Sequence, residues 1–397
     1  MKIKFSVHPD VLKLGLVSFL TDISSEMIFS VFAIVFTVIA GASTALLGLV
    51  EGLADFSASS LDFAAGWASD RTGKRKAFTI LGYSFSALAK FMLLIANSVV
   101  ALGLFRIIER IGKSFRTPPR DAWLSDIAAH QVRGLSFGVH KALDKAGAVL
   151  GPLAAYALLH SRGETHAAFR LLFLLAILPA LLSVYVLSRI KDRPAPPQPQ
   201  RNLFAGWKSL GYGFKRYLIA AAIFSLAYFS FGFLLLRARS IGFAIQDVAL
   251  LYALINISSV IAAPIAGAIG DRIGRTTILA LSYLLYSSTC LGFAFATTRT
   301  EVLLLFIGYG AFSAIDEAQS KAFIADVETS HRATAIGLYN SVTGVLYLPA
   351  SLVAGLLWAT HQRLVFFLAA ALALLALAAF LLLRPAHHAA RLRSLQT

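Results

Sequence analysis

The sequence predicts an all-α membrane protein: twelve transmembrane helices in two six-helix, pseudo-symmetric halves. Three observations lead there. With 58% hydrophobic and 14% charged residues among 397, and a mean hydropathy of +0.74, the chain has more apolar surface than a soluble core can hide. Its apolar stretches recur at lengths that cross about 30 Å of hydrocarbon as helices, whose backbone groups are satisfied internally. One charged turn occurs twice, about 200 residues apart, the mark of an internal duplication.

The spans fall near 11–40, 43–69, 77–97, 98–116, 137–160, 167–189, 217–236, 246–270, 276–296, 300–323, 335–358 and 362–384. The polar stretch after the sixth carries Pro194, Pro196, Pro197 and Pro199 among Lys and Arg, a linker composition. The organisation read from this is a first half at 1–190, a linker at 191–216, a second half at 217–384 and a basic tail at 385–397. Lys2 and Lys4 ahead of an apolar run imitate a signal peptide, but Asp22 and Glu26 interrupt the run, so it reads as a retained first helix. Cys290 lies inside an apolar stretch and is a small hydrophobic filler; no intrachain disulfide is possible.

The net charge of +16 would suit nucleic acid, but basic side chains that punctuate apolar runs are placed for a bilayer. No nucleic-acid partner is expected. Both termini, the linker and both charged turns share the side that collects most Lys and Arg. The other side has Arg162, Arg170, Arg237, Arg239, Arg299 and Arg363. The positive-inside rule therefore puts both termini in the cytoplasm, with the protein in a bacterial inner membrane.

The duplicated turns are Gly66-x-x-x-Asp70-Arg71-x-Gly73-Lys74 and Gly267-x-x-x-Asp271-Arg272-x-Gly274-Arg275. Asp126-x6-Arg133 is echoed by Asp326-x5-Arg332, and Gly147-x4-Pro152 by Gly344-x4-Pro349. Asp70 and Asp271 sit at helix ends, where a carboxylate can face a helix N-terminus, while Arg71 and Arg272 can pair with Asp126 and Asp326. Such contacts suit a cytoplasmic latch that forms in one transport state and breaks in the other. Gly73 and Gly274 read as turn positions that need positive φ. Gly147 and Gly151 lie on one face of the fifth span and admit another helix closely; Pro152 loosens that helix.

Charge inside the spans carries the functional signal, since each such group costs about 2.5–3.5 kcal/mol at the bilayer centre. Asp22 and Glu26 share a face of the first span, and Glu51, Asp55 and Asp62 a face of the second. Arg106, Glu109, Arg110 and Lys113 form a stripe on the fourth; Lys141, Asp144 and Lys145 repeat it on the fifth; Asp316, Glu317 and Lys321 belong to the tenth. Glu109 can neutralise Arg106 or Arg110, and Asp144 either Lys141 or Lys145. Asp22, Glu26, Glu51 and Asp55 have no base on their own helices, which suits a carrier of the coupling proton unless Arg106 or Lys90 reaches them from another helix. Asp316 and Glu317 are the next candidates. The aromatic seventh span, Phe224 to Phe233, carries no charge, so the second half should be aromatic where the first is ionic.

The paired turns resemble motif A of the major facilitator superfamily, and the two-half layout covers nearly the whole chain. Arg106-Ile-Ile-Glu109-Arg110-Ile-Gly112 is similar to that family's motif B, with Glu109 and Arg110 where Gln and Gly are usual. Gly147-Ala-Val-Leu-Gly151-Pro152 resembles motif C, associated with antiporters, with Ala154 and Ala155 in place of a common Gly pair. The resemblance implies a secondary transporter working by alternating access about a midplane site, proton-coupled, and an exporter rather than an importer. Uptake of an anionic solute is the alternative, motivated by Arg106, Arg110, Arg237 and Arg239; a sensor that keeps a transporter fold is another. The expected partners are a small-molecule substrate, protons and lipid, with the chain a monomer. Enzyme signatures are not found: Ile111-Gly112-Lys113-Ser114 imitates a P-loop end without its first Gly, and no metal-spaced cluster or catalytic motif occurs, so neither cofactor nor metal is expected.

Overall fold

The computed structural model describes residues 7–95, 98–128, 132–192, 210–328 and 332–383, with the side chains of residues 63 and 332–334 outside the description. Residues 193–209 of the expected linker and the tail from 385 lie outside the described residues.

The chain is all helical among the described residues. In order come α1 (Pro9–Ile34, continued by a π-turn at Val35–Ile39), α2 (Thr44–Thr72), α3 (Arg75–Ile95), α4 (Val99–Ile127), α5 (Arg133–Arg162) and α6 (His166–Ser188). Then follow α7 (Tyr212–Ala227), α8 (Gly232–Ser240), α9 (Ile245–Ile273), α10 (Arg275–Phe295), α11 (Arg299–Val327), α12 (Arg332–Thr360) and α13 (Gln362–Leu383). Counting α7 and α8 as one interrupted span, this is the expected twelve. Nine spans among the described residues are long and apolar enough to cross a membrane. The three that are not among them, α2, α4 and α11, carry much of the embedded charge, with more of it lying on α1, α3 and α5. These helices need protein or water, rather than lipid, around their polar faces.

The helices group into two compact units, here the described residues of Met1–Ala42, Leu53–Gln200 and Ala244–Ala253 (unit 1), and of Ser43–Gly52, Arg201–Phe243 and Leu254–Thr397 (unit 2). In unit 1, α1 packs on α5 and α6, and α3 on α4 and α6. In unit 2, α7 packs on α12 and α13, and α10 on α11 and α13. Each helix pair of one unit thus recurs between its counterparts in the other, as duplication requires.

Two elements depart from expectation. The fourth span was expected to end at Arg116, before Pro118-Pro119, yet α4 continues through both prolines to Ile127. Packing overrides the local penalty: Trp123, Leu124 and Ile127 enter a core with Val11, Leu14, Val17, Tyr83, Leu187 and Ile190. The seventh span, expected to run unbroken, is interrupted at residues 228–231. Its loosened backbone is held by side chains of unit 2. Tyr286 donates to the Ala227 carbonyl (2.7 Å), Ser351 accepts from the Ser230 amide (3.2 Å), and Ser230 Oγ accepts from the Gly232 amide (3.2 Å). The surrounding core is aromatic, with Phe224 stacked on Tyr283 (4.3 Å between ring centroids) and Tyr286 against Phe312 (4.6 Å).

Candidate functional site

The duplicated turn builds the same clamp in each unit. α2 ends at Thr72, Gly73 turns the chain at φ 68°, and Arg75 opens α3; Gly274 does the same at φ 88° before Arg275 opens α10. Arg75 pairs with Asp126, bonds Asp70 at 3.3 Å and donates to the Ala122 carbonyl at 2.8 Å. Arg275 pairs with Asp326 at 3.0 Å, approaches Asp271 at 3.9 Å and donates to the Ala322 carbonyl at 2.8 Å. Gly66 gives α2 a close approach to α4, since a Cβ there would lie 3.3 Å from Pro118, whereas nothing lies within 4 Å of one on Gly267.

This corrects the expected partners. Arg71 is exposed and stacks on Trp67 (5.3 Å from the ring centroid), and Arg272 is exposed; neither is the partner of Asp126 or Asp326. The arginine that opens the next helix faces the acid because α3 packs on α4, and α10 on α11. Lys74 and Arg133 are exposed, and Arg332 opens α12 with its side chain outside the described residues. Arg75→Ala should therefore cost about 1–2 kcal/mol, reduced by the partial exposure of both acids, while Arg71→Ala is near neutral. Thermal melts of the purified variants check the ranking; equal losses would contradict it.

The embedded charges of α4 divide between two sides. Glu109, fully buried, lies between Arg106 (3.8 Å) and Arg116 (4.0 Å) and accepts from Ser25 (3.3 Å). Arg106 also lies over the ring of Phe29 at 4.1 Å. Lys90, buried on α3, donates to the same Ser25 hydroxyl at 3.1 Å, and Arg116 donates to Ser86 at 2.5 Å. Arg110, one residue beyond Glu109 and so on another side of the helix, bonds Asp55 of α2 at 2.7 Å. Of the two expected partners, Glu109 takes Arg106. Asp55, expected among the proton carriers, is half of an ion pair across helices. Arg116 and Arg120 were missed as polar anchors; their four-residue spacing along the Arg106–Lys113 stripe was the available signal.

The acids are divided between the two units. Glu51 belongs to unit 2, where it accepts from Ser230 at 3.2 Å. Glu26 belongs to unit 1 and accepts a 2.5 Å hydrogen bond from Tyr252, of the α9 turns grouped there. Asp144 pairs with Lys141 (3.3 Å), as one of the two expected choices, and accepts from Ser18 (2.6 Å). Gly147 and Gly151 seat α1 on α5: a Cβ at 147 would collide with the Phe19 carbonyl and lie 3.1 Å from the Asp22 Cβ, and one at 151 would lie 2.7 Å from the Ile23 carbonyl. Pro152 continues α5 just beyond them. In unit 2, Asp316 is half-buried and accepts from Ser320 (3.2 Å), while Glu317 is exposed. Arg237 and Arg239 are spent on helix ends, donating to the carbonyls of Phe293 (3.0 Å), Ala296 (2.9 Å) and Phe243 (2.8 Å).

A charged, duplicated helical bundle of this kind has known counterparts. The family model described as Major Facilitator Superfamily matches residues 14–237 and 217–397. An uncharacterised MFS-type transporter of Methanocaldococcus jannaschii is 34% identical over 374 residues, covering 92% of each chain. Multidrug resistance protein 1 of Bacillus subtilis is 36% identical over 124 residues, 30% of this chain and 31% of that one. Among solved structures, the nucleoside transporter NupG superposes with a TM-score of 0.77 at 15% identity, covering 95% of this chain and 99% of that one, a likeness of fold. With the family model matching both halves and a relative similar along nearly its whole length, this integral membrane protein belongs to the major facilitator superfamily of transporters.

Proposed function

We propose that the protein is a proton-coupled exporter that exchanges protons for a small molecule by alternating access. In this reading its halves, 1–190 and 217–384, are joined by the 191–216 linker, it works as a monomer, and both termini lie in the cytoplasm of a bacterial cell. One observation carries the coupling: Glu26, embedded on α1 beside the Gly151 contact, is met by the neutral hydroxyl of Tyr252. A carboxyl with a neutral hydrogen-bonding partner can exchange a proton without breaking an ion pair. Export is supported by the glycines of the fifth span and by the partial similarity to a multidrug resistance protein. Uptake of an anion is disfavoured because the four arginines that motivated it are committed: Arg106 to Glu109, Arg110 to Asp55, and Arg237 and Arg239 to backbone carbonyls.

Everted vesicles carrying the protein, with an imposed acid interior, test this against a panel of fluorescent lipophilic cations and radiolabelled metabolites. At least one compound should accumulate and leave on addition of a protonophore. Glu26→Gln should abolish gradient-driven accumulation and retain substrate counterflow. Accumulation indifferent to the gradient would end the coupled reading; accumulation only in right-side-out vesicles would reverse the direction; none in either would favour a sensor.

A further inference from the structure

Several features of unit 1 meet along the seam between α1 and α5. Through Gly147 and Gly151, α1 comes so close that Asp22, one turn beyond Ser18 and one turn before Glu26, stands against the backbone of α5. Asp144, three residues before Gly147, reaches over the same seam: it accepts from Ser18 at 2.6 Å, and its carboxyl lies within hydrogen-bonding reach of that of Asp22. One turn earlier on α5, His140 is buried, its Nε2 has no hydrogen-bond partner, and Asp144 is among its nearest charges. An imidazole nitrogen left free to accept in a buried seam, with a carboxylate one turn on, suits a proton carrier.

We propose that His140, Asp144, Asp22 and Glu26 form a proton relay along the α1–α5 seam, in which Asp22 and Asp144 share one proton as a carboxyl–carboxylate pair. This rests on the proton-coupled reading above and gives it a path. Two carboxyl groups within hydrogen-bonding reach are held together by a bridging proton, because both ionised would repel. Each step moves one proton. Where the seam parts and admits water, neutral His140 gains a proton at Nε2 and gives the one on Nδ1 to the Asp144 carboxylate; the Asp22 end of the pair then passes its proton to the Glu26 carboxylate, which Tyr252 holds by its hydroxyl at 2.5 Å.

The charged groups around the seam fit this order. Lys141 (3.3 Å) and Ser18, itself bonded by Arg120 (3.1 Å), hold the Asp144 end. Asp22 faces Glu26 on its own helix and Lys113 and Arg116 on α4; His140 faces Arg120 and Asp121 on α4 and Lys141 on α5. α6, also packed on α1, carries no charged residue after Arg170. The glycine contact is therefore also the place where gain or loss of a proton acts on helix separation, with no side chain of residue 147 or 151 to cushion it.

Infrared difference spectra of the purified, full-length protein between acid and alkaline buffers read protonated carboxyls directly. The expected result is a buried carboxyl band that titrates, is lost in Asp22→Asn, and has its midpoint displaced by about one pH unit or more in Asp144→Asn. His140→Gln should keep the midpoint but slow the band's response to a pH jump by about tenfold or more. A midpoint unmoved by Asp144→Asn overturns the shared proton, and an unchanged rate in His140→Gln removes the histidine from the relay. If Asp22→Asn does not fold, Asp22→Glu must still displace the midpoint, and an unmoved band is again fatal. A coupled titration without gradient-driven transport would defeat the proton-coupled function and leave the pair standing. Gradient-driven transport with independent titrations would defeat the pair alone.

Discussion

Glu109→Gln is expected to destabilise the protein by about 3–5 kcal/mol, because it leaves the buried guanidinium groups of Arg106 and Arg116 without their shared carboxylate. The pattern of rescue is more informative than the loss. Adding Arg106→Gln removes one of the guanidinium groups that Glu109 neutralises and should restore part of the stability. Adding Arg110→Gln should make matters worse, since Arg110 serves Asp55 at 2.7 Å and its removal strands a second group. Thermal inactivation of the single and double variants, followed by the monodisperse fraction in detergent, separates the two cases. Equal rescue by both would mean that the division of α4 into two charged sides is wrong.

The second large effect is steric. Gly112 of α4 crosses Gly82 of α3 at backbone contact: a Cβ on Gly112 would lie 2.6 Å from Ser86 Oγ, 2.8 Å from the Gly82 carbonyl oxygen and 2.9 Å from the Ser86 amide nitrogen. A Cβ on Gly82 would lie 2.5 Å from the Arg116 amide nitrogen. Most of these atoms are backbone and cannot turn aside, so even Gly112→Ala must push two helices apart, at about 3 kcal/mol, and Gly112→Val at more. The displacement would also carry Glu109 and Arg116 off their partners. Gly134→Ala is the control. Nothing lies within 4 Å of a Cβ there, so Ala is accommodated in the first turn of α5 without loss. A melting temperature as high in Gly112→Ala as in Gly134→Ala would contradict the close crossing.

Much of this architecture is legible in the amino-acid order because bilayer thickness and duplication both leave long-wavelength marks. Span lengths, the two turn glycines and the echoed Asp126 and Asp326 need no tertiary information. What escapes is whatever packing decides. Arg71, inside the repeated turn, reads as the partner of Asp126 until α3 is seen to begin at Arg75 and lie on α4. The fourth span reads as ending at Arg116 until Trp123 and Leu124 are found buried beyond Pro118-Pro119. The break after Ala227 has no Gly or Pro within Leu226 to Phe231 to announce it. Glu51 and Asp55 share one face of one helix, yet the division into units falls between them, at Gly52 and Leu53. The acid pair across the α1–α5 seam escaped because Asp144 has a lysine three residues before it, and a local partner conceals a distant one.

The interruption between α7 and α8 has a mechanical meaning. In hydrocarbon, a bent helix would normally leave carbonyl and amide groups with nothing to bond, and that penalty is what keeps a span straight. Here Tyr286, Ser351 and Ser230 stand where water would stand in a soluble hinge, each on a rotatable side chain that can follow the backbone it holds. The seventh span is thereby a jointed rod. Its stiffness lies in its two ends and its compliance in the four-residue gap at 228–231, where side chains follow the backbone as it flexes.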